Sequence, residues 1–208
     1  MSLLSFGNSK LKKDGIASFS LPAGKSCPNA GECLKGCYAL QGFFLMPSVK
    51  KAYSKNFELA KKPEKFWSAM GTEIRKVKPK IIRIHASGDF FNARYFMAWV
   101  RLAQSYPSVK FYAYTKMVLM VKTIKQEFIQ SGTPWPDNFT IIFSEGGKQD
   151  AMISPNNDRH SRVFESLDAL KAAGYADVTT HDTGAMGPNH KIGLVYHGAK
   201  SKKWSTNK

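Results

Sequence analysis

Acidic residues are what this chain of 208 residues has too few of: 15 Asp and Glu stand against 31 Lys and Arg, a formal net charge of +16. That imbalance works against a basic partner and implies a polyanionic one, because a field of one sign repels its like and gathers its opposite. Cysteine is nearly missing too. The odd count of three argues against a disulfide framework, since one thiol is always left over. A chain of this length needs no such staples, being able to bury roughly 70% of its unfolded surface in a core of its own. No apolar run approaches the roughly 20 residues that cross a bilayer, so no membrane partner is expected. The start lacks a charged leader ahead of an apolar stretch, since Lys10, Lys12 and Lys13 follow the short apolar opening, and a reducing cytoplasm is the expected compartment. A P-loop, a Ser-His-Asp or Cys-His arrangement, an internal repeat and a low-complexity tract are all missing.

What is there is concentrated. Cys27, Cys33 and Cys37 fall within eleven residues, on a segment punctuated by Pro28, Gly31 and Gly36. Thiols spaced so closely on a turning segment can converge on one metal centre without help from distant parts of the fold. Zinc ordinarily takes four protein ligands from paired Cys-x-x-Cys spacings, and no second pair exists, so a zinc-stapled interaction module would need a His to complete it. A 4Fe-4S cluster has four irons, and three Cys leave one of them for a small molecule, a water or another side chain. The bland alternative is a chance pair with a bystander. The cluster is the leading expectation, with Cys27, Cys33 and Cys37 as its ligands.

The positive charge is also grouped. Between Lys50 and Arg83 there are eleven Lys or Arg against Glu58, Glu64 and Glu73, interleaved with Tyr53, Phe57, Phe66 and Trp67. Lys200, Lys202, Lys203 and Lys208 mark a basic tail over residues 198–208. Lysines for phosphates and rings for bases would suit DNA or RNA, while the plainer reading makes Lys50, Lys51, Lys61 and Lys62 the solvated face of a helix. Oligomeric state is not legible.

Strand and helix patterns alternate. Strands are expected at residues 16–21, 80–86, 109–114, 139–144, 176–180 and 192–197. Helices are expected from Pro47, from Pro63, and over residues 94–105, 117–130 and 161–173. This predicts a single α/β domain over residues 1–208, with an N-terminal segment of residues 1–46 carrying the Cys loop. Its sheet should be parallel with helices outside, as an open layer or part of a barrel. Ligands of such folds collect at the carboxyl ends of strands, and small or polar residues stand at each one: Ser87-Gly88-Asp89, Thr115-Lys116, Ser144-Glu145-Gly146-Gly147 and His181-Asp182-Thr183. Ser87, Gly88, Asp89, Glu145, His181 and Asp182 are therefore the candidate cofactor-binding residues. His181 is expected to have its tautomer set by the neighbouring Asp182. His85 sits inside an apolar strand and reads first as a hydrogen-bonded core residue. His190 and His197 carry no reading.

Several blocks carry a resemblance: Gly7-Asn8-Ser9-Lys10-Leu11, Ser18 through Gly24, Ser26-Cys27-Pro28 through Cys37-Tyr38-Ala39, and Arg83 through Phe90. Together they resemble the phage gene product 88 family. That resemblance implies a bacteriophage-encoded protein acting in the cytoplasm of the infected host, its biochemical role poorly defined. A wider likeness is to radical S-adenosylmethionine enzymes, in which a three-Cys loop after the first strand holds a 4Fe-4S cluster. A motif after their second strand, where Ser87-Gly88-Asp89 stands here, binds the cofactor's amino group. The spacing departs from theirs, being Cys-x5-Cys-x3-Cys in place of Cys-x3-Cys-x2-Cys, and the chain is short for a full barrel. The likeness implies a radical-SAM-like, incomplete TIM-type barrel with S-adenosylmethionine as a possible second cofactor. A non-catalytic or nuclease-like nucleic-acid protein, with the cluster structural or redox-sensing, is the alternative.

Overall fold

The computed structural model describes residues 2–6 and 9–196. Gly7 and Asn8 of the resemblance blocks, His197 and the basic tail lie outside the described residues. Seven strands form one sheet in the order β1-β2-β3-β4-β5-β7-β6, every pair parallel, curled into a half-barrel with helices packed outside it. The strands are β1 (Ile16–Phe19), β2 (Ile81–Ile84), β3 (Lys110–Thr115), β4 (Phe139–Ser144), β5 (His160–Phe164), β6 (Ala176–Asp177) and β7 (Lys191–Val195). The helices are α1 (Ser9–Lys13), α2 (Pro47–Ala60), α3 (Pro63–Val77), α4 (Ala93–Ser105), α5 (Val118–Gln130) and α6 (Leu167–Ala172).

Local chemistry sets most of these boundaries. Proline opens α2 and α3, where its missing N–H is no loss. The side chains of Asn92 and Ser166 cap α4 and α6, accepting from Tyr95 N at 2.9 Å and Ala169 N at 3.1 Å. Alternation along the strands then sorts side chains by face. Ala17, Phe19, Ile82, Ile84, Phe111, Ala113, Phe139, Ile141 and Phe143 join one core with Phe66 and Trp99 of the outer helices. Phe19 meets those two rings edge-on, with centroids 5.3 and 5.6 Å away. The opposite, concave face carries a smaller core of Ile16, Tyr112, Ile142 and Ile192, roofed by Leu11, Val178 and Ala185.

The structure corrects the sequence reading at the C-terminal side. The helix expected over residues 161–173 is two elements: β5 pairs with β7 from His160↔Lys191 to Phe164↔Val195, and α6 starts only after Ser166. Pairing with a neighbouring strand, which periodicity cannot register, overrode the local pattern. The strand expected over residues 176–180 is a two-residue edge, and β7 lies between β5 and β6.

Candidate functional site

The Cys loop leaves β1 and is laid across the carboxyl ends of the next three strands. Its base docks on the turn after β2: Leu21 N donates to Ser87 O at 2.8 Å, and Ser87 Oγ donates back to Leu21 O at 2.9 Å. Gly88, with φ of 90°, makes that approach possible, since a Cβ there would lie 2.6 Å from Ser26 Oγ and 2.7 Å from Leu21 Cβ. The far side docks on the turn after β4. Ala30 forms an antiparallel bridge with Gly147, Cys33 N donates to Gly146 O at 3.1 Å, and Lys148 N donates to Asn29 O at 3.0 Å. A Cβ on Gly147 would stand 3.0 Å from Asn29 O, so the backbones touch there as well. Two tyrosines complete the anchoring: Tyr196 Oη donates to Gly36 O at 2.6 Å, and the Tyr38 hydroxyl donates to Ala86 O.

All three thiols are free and partly buried. Burial and then the charge of Asp89 push the Cys27 thiol up to about 12, and Cys37 adds to the rise. Burial also pushes Cys37 up, with a contribution from Cys33. Among the described residues, no group of three or more His, Cys, Asp or Glu stands together as a single-ion site.

The remaining predicted residues take distinct places. Asp89 is buried, and its carboxylate accepts from Phe90 N at 2.7 Å, Thr115 Oγ1 at 2.6 Å and Lys116 N at 2.9 Å. Burial pushes this carboxyl up despite those donors, and it clamps the end of β2 to the end of β3. Glu145 accepts from Arg162 Nε at 2.6 Å and from Tyr175 Oη at 3.3 Å, which ties it to the β5 side of the rim. Asp182 is a wholly buried partner of Arg83 (2.7 Å), Lys10 (2.7 Å) and Tyr112 Oη (2.5 Å), beneath the rim on the concave face. Burial would raise its carboxyl, and the two cations outweigh burial and hold it low. With those partners it is engaged within the fold and not a rim acceptor. His181 is exposed, and its carboxylate partner is Asp14, 3.1 Å from Nδ1, not Asp182, because adjacent side chains point apart. His85 is the core histidine its strand implied: Nε2 lies 2.8 Å from Tyr95 Oη, and burial pushes its ring down to about 3.

Sequence reasoning assigned no role to three participants. Asp150 pins the Gly-Gly turn, accepting from Gly146 N at 2.7 Å and Gly147 N at 2.9 Å. A carboxylate three residues after a Gly-Gly pair is the signal that would have found it. Lys116 reaches Ser144 Oγ at 2.8 Å and lies within electrostatic range of Cys37 and Asp89, at the middle of the rim. Arg83, alternating with Ile82 and Ile84, marks the inner face of a curled sheet, and its guanidinium lies 5.1 Å from the Tyr114 ring centroid.

Together these features define an all-parallel α/β half-barrel whose strand ends are bridged by a thiol-bearing loop. The family model for gene product 88 matches residues 2–208, and the chain belongs to that family. It is 37% identical over 187 residues to the Gene 88 protein of Mycobacterium phage L5, covering 80% of this chain and 72% of that one. It is 35% identical over 117 residues to the Gene 88 protein of Mycobacterium phage D29, covering 50% of this chain and 49% of that one. Both relatives are phage proteins, which supports a bacteriophage origin. No solved structure matches, so the likeness to radical S-adenosylmethionine enzymes gains no structural neighbour. Among the described residues no helix is long and apolar enough to cross a membrane.

Proposed function

We propose that the chain is an iron-sulfur protein in which Cys27, Cys33 and Cys37 hold a 4Fe-4S cluster on a radical-SAM-like partial barrel. The observation that carries this reading is the seating of the Cys loop. Three free thiols are drawn over one stretch of rim by backbone contacts at Ser87-Gly88 on one side and Gly146-Gly147 on the other. When bound, such a cluster supplies one-electron transfer, and its fourth iron is open to a small molecule such as S-adenosylmethionine. The chain's own part is to orient and enclose. Gly88 and Gly147 let the loop lie flat, and Asp89 locks two strand ends beneath it. Lys116 places a positive charge beside the thiols, where a ligand's anionic group would be held.

Protein purified without oxygen should be brown and contain iron and sulfide in stoichiometric amounts, and each Cys→Ser variant should lose them. Colourless wild-type protein lacking both elements overturns the reading. Incubation with dithionite and S-adenosylmethionine separates enzyme from non-enzyme: no release of methionine and 5'-deoxyadenosine leaves a structural or redox-sensing cluster.

A second reading is favoured by charge. A net +16 on 208 residues suits a protein that works on or with nucleic acid, and such binding should weaken steeply between about 50 and 200 mM salt.

A further inference from the structure

Large apolar side chains are exposed at twelve described positions, and six of them (Leu34, Tyr38, Leu40, Phe43, Leu45 and Met46) fall within residues 34–46. Scattered singly such residues need no explanation, but half of them gathered on one short stretch form a patch. Phe43 is the extreme case, at 83% exposed. The patch is built on two 3-10 turns, Tyr38–Leu40 and Gly42–Leu45, which follow Cys37 directly and lead into α2. A chain of rings joins them: Tyr38 meets Phe44 with centroids 5.5 Å apart, and Phe44 meets Tyr53 of α2 at 6.3 Å. Ring contacts therefore link the segment that follows Cys37 to α2.

The charge around it has one sign. Residues 33–57 contain no Asp or Glu, and Lys50, Lys51 and Lys55 are exposed on α2 with no carboxylate partner among the described residues. Glu32 and Glu58, the nearest acids on either side, are each paired with a lysine of their own, Lys35 and Lys61. A second copy of a +16 chain would be repelled from such a face, which argues against self-association. The exposed face of α2 carries Ser48, Lys50, Lys51, Ser54, Lys55 and Glu58, while Phe57 and Ala60 are buried in the fold, so the helix has no free apolar face to lay in a membrane surface. Rings on a lip with lysines beside them are the two components that hold an unpaired strand, bases stacking on aromatics and phosphates held by the cations.

We infer that the lip formed by Tyr38 and Phe43, with Lys50, Lys51 and Lys55 of α2, binds single-stranded nucleic acid and leads it to the thiol rim. This deepens the nucleic-acid reading above and rests on it, and it does not depend on the cluster. Phe43 is the primary stacking residue. Duplex, whose bases are already stacked on each other, gains only the phosphate contacts.

Fluorescence anisotropy tests it with one labelled mixed-sequence oligonucleotide, alone and annealed to its complement, and with vesicles containing phosphatidylglycerol as a third arm. The single strand should bind more tightly than the duplex. Phe43→Ala should weaken single-strand binding by roughly tenfold and leave duplex binding unchanged. Replacing Lys50, Lys51 and Lys55 by Gln should reduce the slope of log affinity against log salt by about 2. A variant with all three cysteines changed to Ser should keep single-strand binding, which separates this proposal from the cluster. Equal binding of duplex and single strand, both indifferent to Phe43→Ala, overturns the lip while the broader nucleic-acid reading stands. No binding to either form overturns both. Vesicle binding that needs Phe43, with oligonucleotide binding missing, makes the lip a membrane face instead.

Discussion

The two faces of the sheet are made from the same strands and held by opposite means. The outer face is closed by rings and aliphatic side chains, with Phe19, Phe66 and Trp99 fully buried and packed on one another. The concave face sets Asp182 against Arg83 and Lys10 beside Tyr112 and Tyr114, and the buried carboxylate is held by both cations. Burial of a large apolar side chain stabilises by roughly 1.5–3 kcal/mol on its own account. A buried ion pair costs desolvation on both sides and returns it only while both partners remain. The outer face therefore carries stability residue by residue, and the inner face carries it as a unit.

Breaking each face tests that contrast. Trp99→Ala should cost about 3–5 kcal/mol, and adding Phe66→Ala should deepen the loss, read as a falling denaturation midpoint. Asp182→Ala should cost about 3–5 kcal/mol by stranding Arg83. Changing the two buried partners together, Arg83→Met with Asp182→Leu, should recover most of that loss, since Lys10, part exposed, can turn its charge to water. If the double variant is as unstable as the sum of its parts, the inner face is not a unit.

Acid separates the faces more gently. His85, on the outer side, is held neutral down to about pH 3, whereas an unfolded histidine protonates below about 6.5. Its contribution is complete above the unfolded value and is lost as pH falls toward the folded one, by about 2 kcal/mol between pH 6.5 and pH 5. Asp182 has its carboxyl lowered by Arg83 and Lys10, so its contribution persists through that window and fails only as pH falls below the ordinary carboxylate range. Melting temperature followed from pH 7 to pH 4 should slope downward in the wild type and flatten in His85→Asn. The mildest change is at the rim: Gly88→Ala should cost about 1–3 kcal/mol, because its φ of 90° and the 2.6 Å approach to Ser26 both resist a Cβ. It should also raise thiol reactivity toward an alkylating reagent by loosening the Cys loop.

The parts that could be read from sequence share one property. β2, β3 and β4 were legible within a few residues because their apolar runs are bounded by Gly, Pro or polar turns, and α2 and α3 announce themselves with proline. β5 was not, since Ser161 and Arg162 interrupt its pattern and its identity as a strand comes from five residue pairs with β7. Likewise the carboxylate beside His181 could not be foreseen: Asp14 is 167 residues away, while Asp182 is merely next in the chain.

Proximity along the chain settles the thiol cluster, the helix starts, the excess of positive charge and the family, since each is a property of neighbours or of sums. Folding alone brings Arg83 to Asp182 across 99 residues, lays the Cys loop on Gly88 and Gly147, and leaves Phe43 83% exposed. Those outcomes depend on how the sheet curls and which strand lies beside which, and a charge or a ring acquires its role only from what that curvature sets against it.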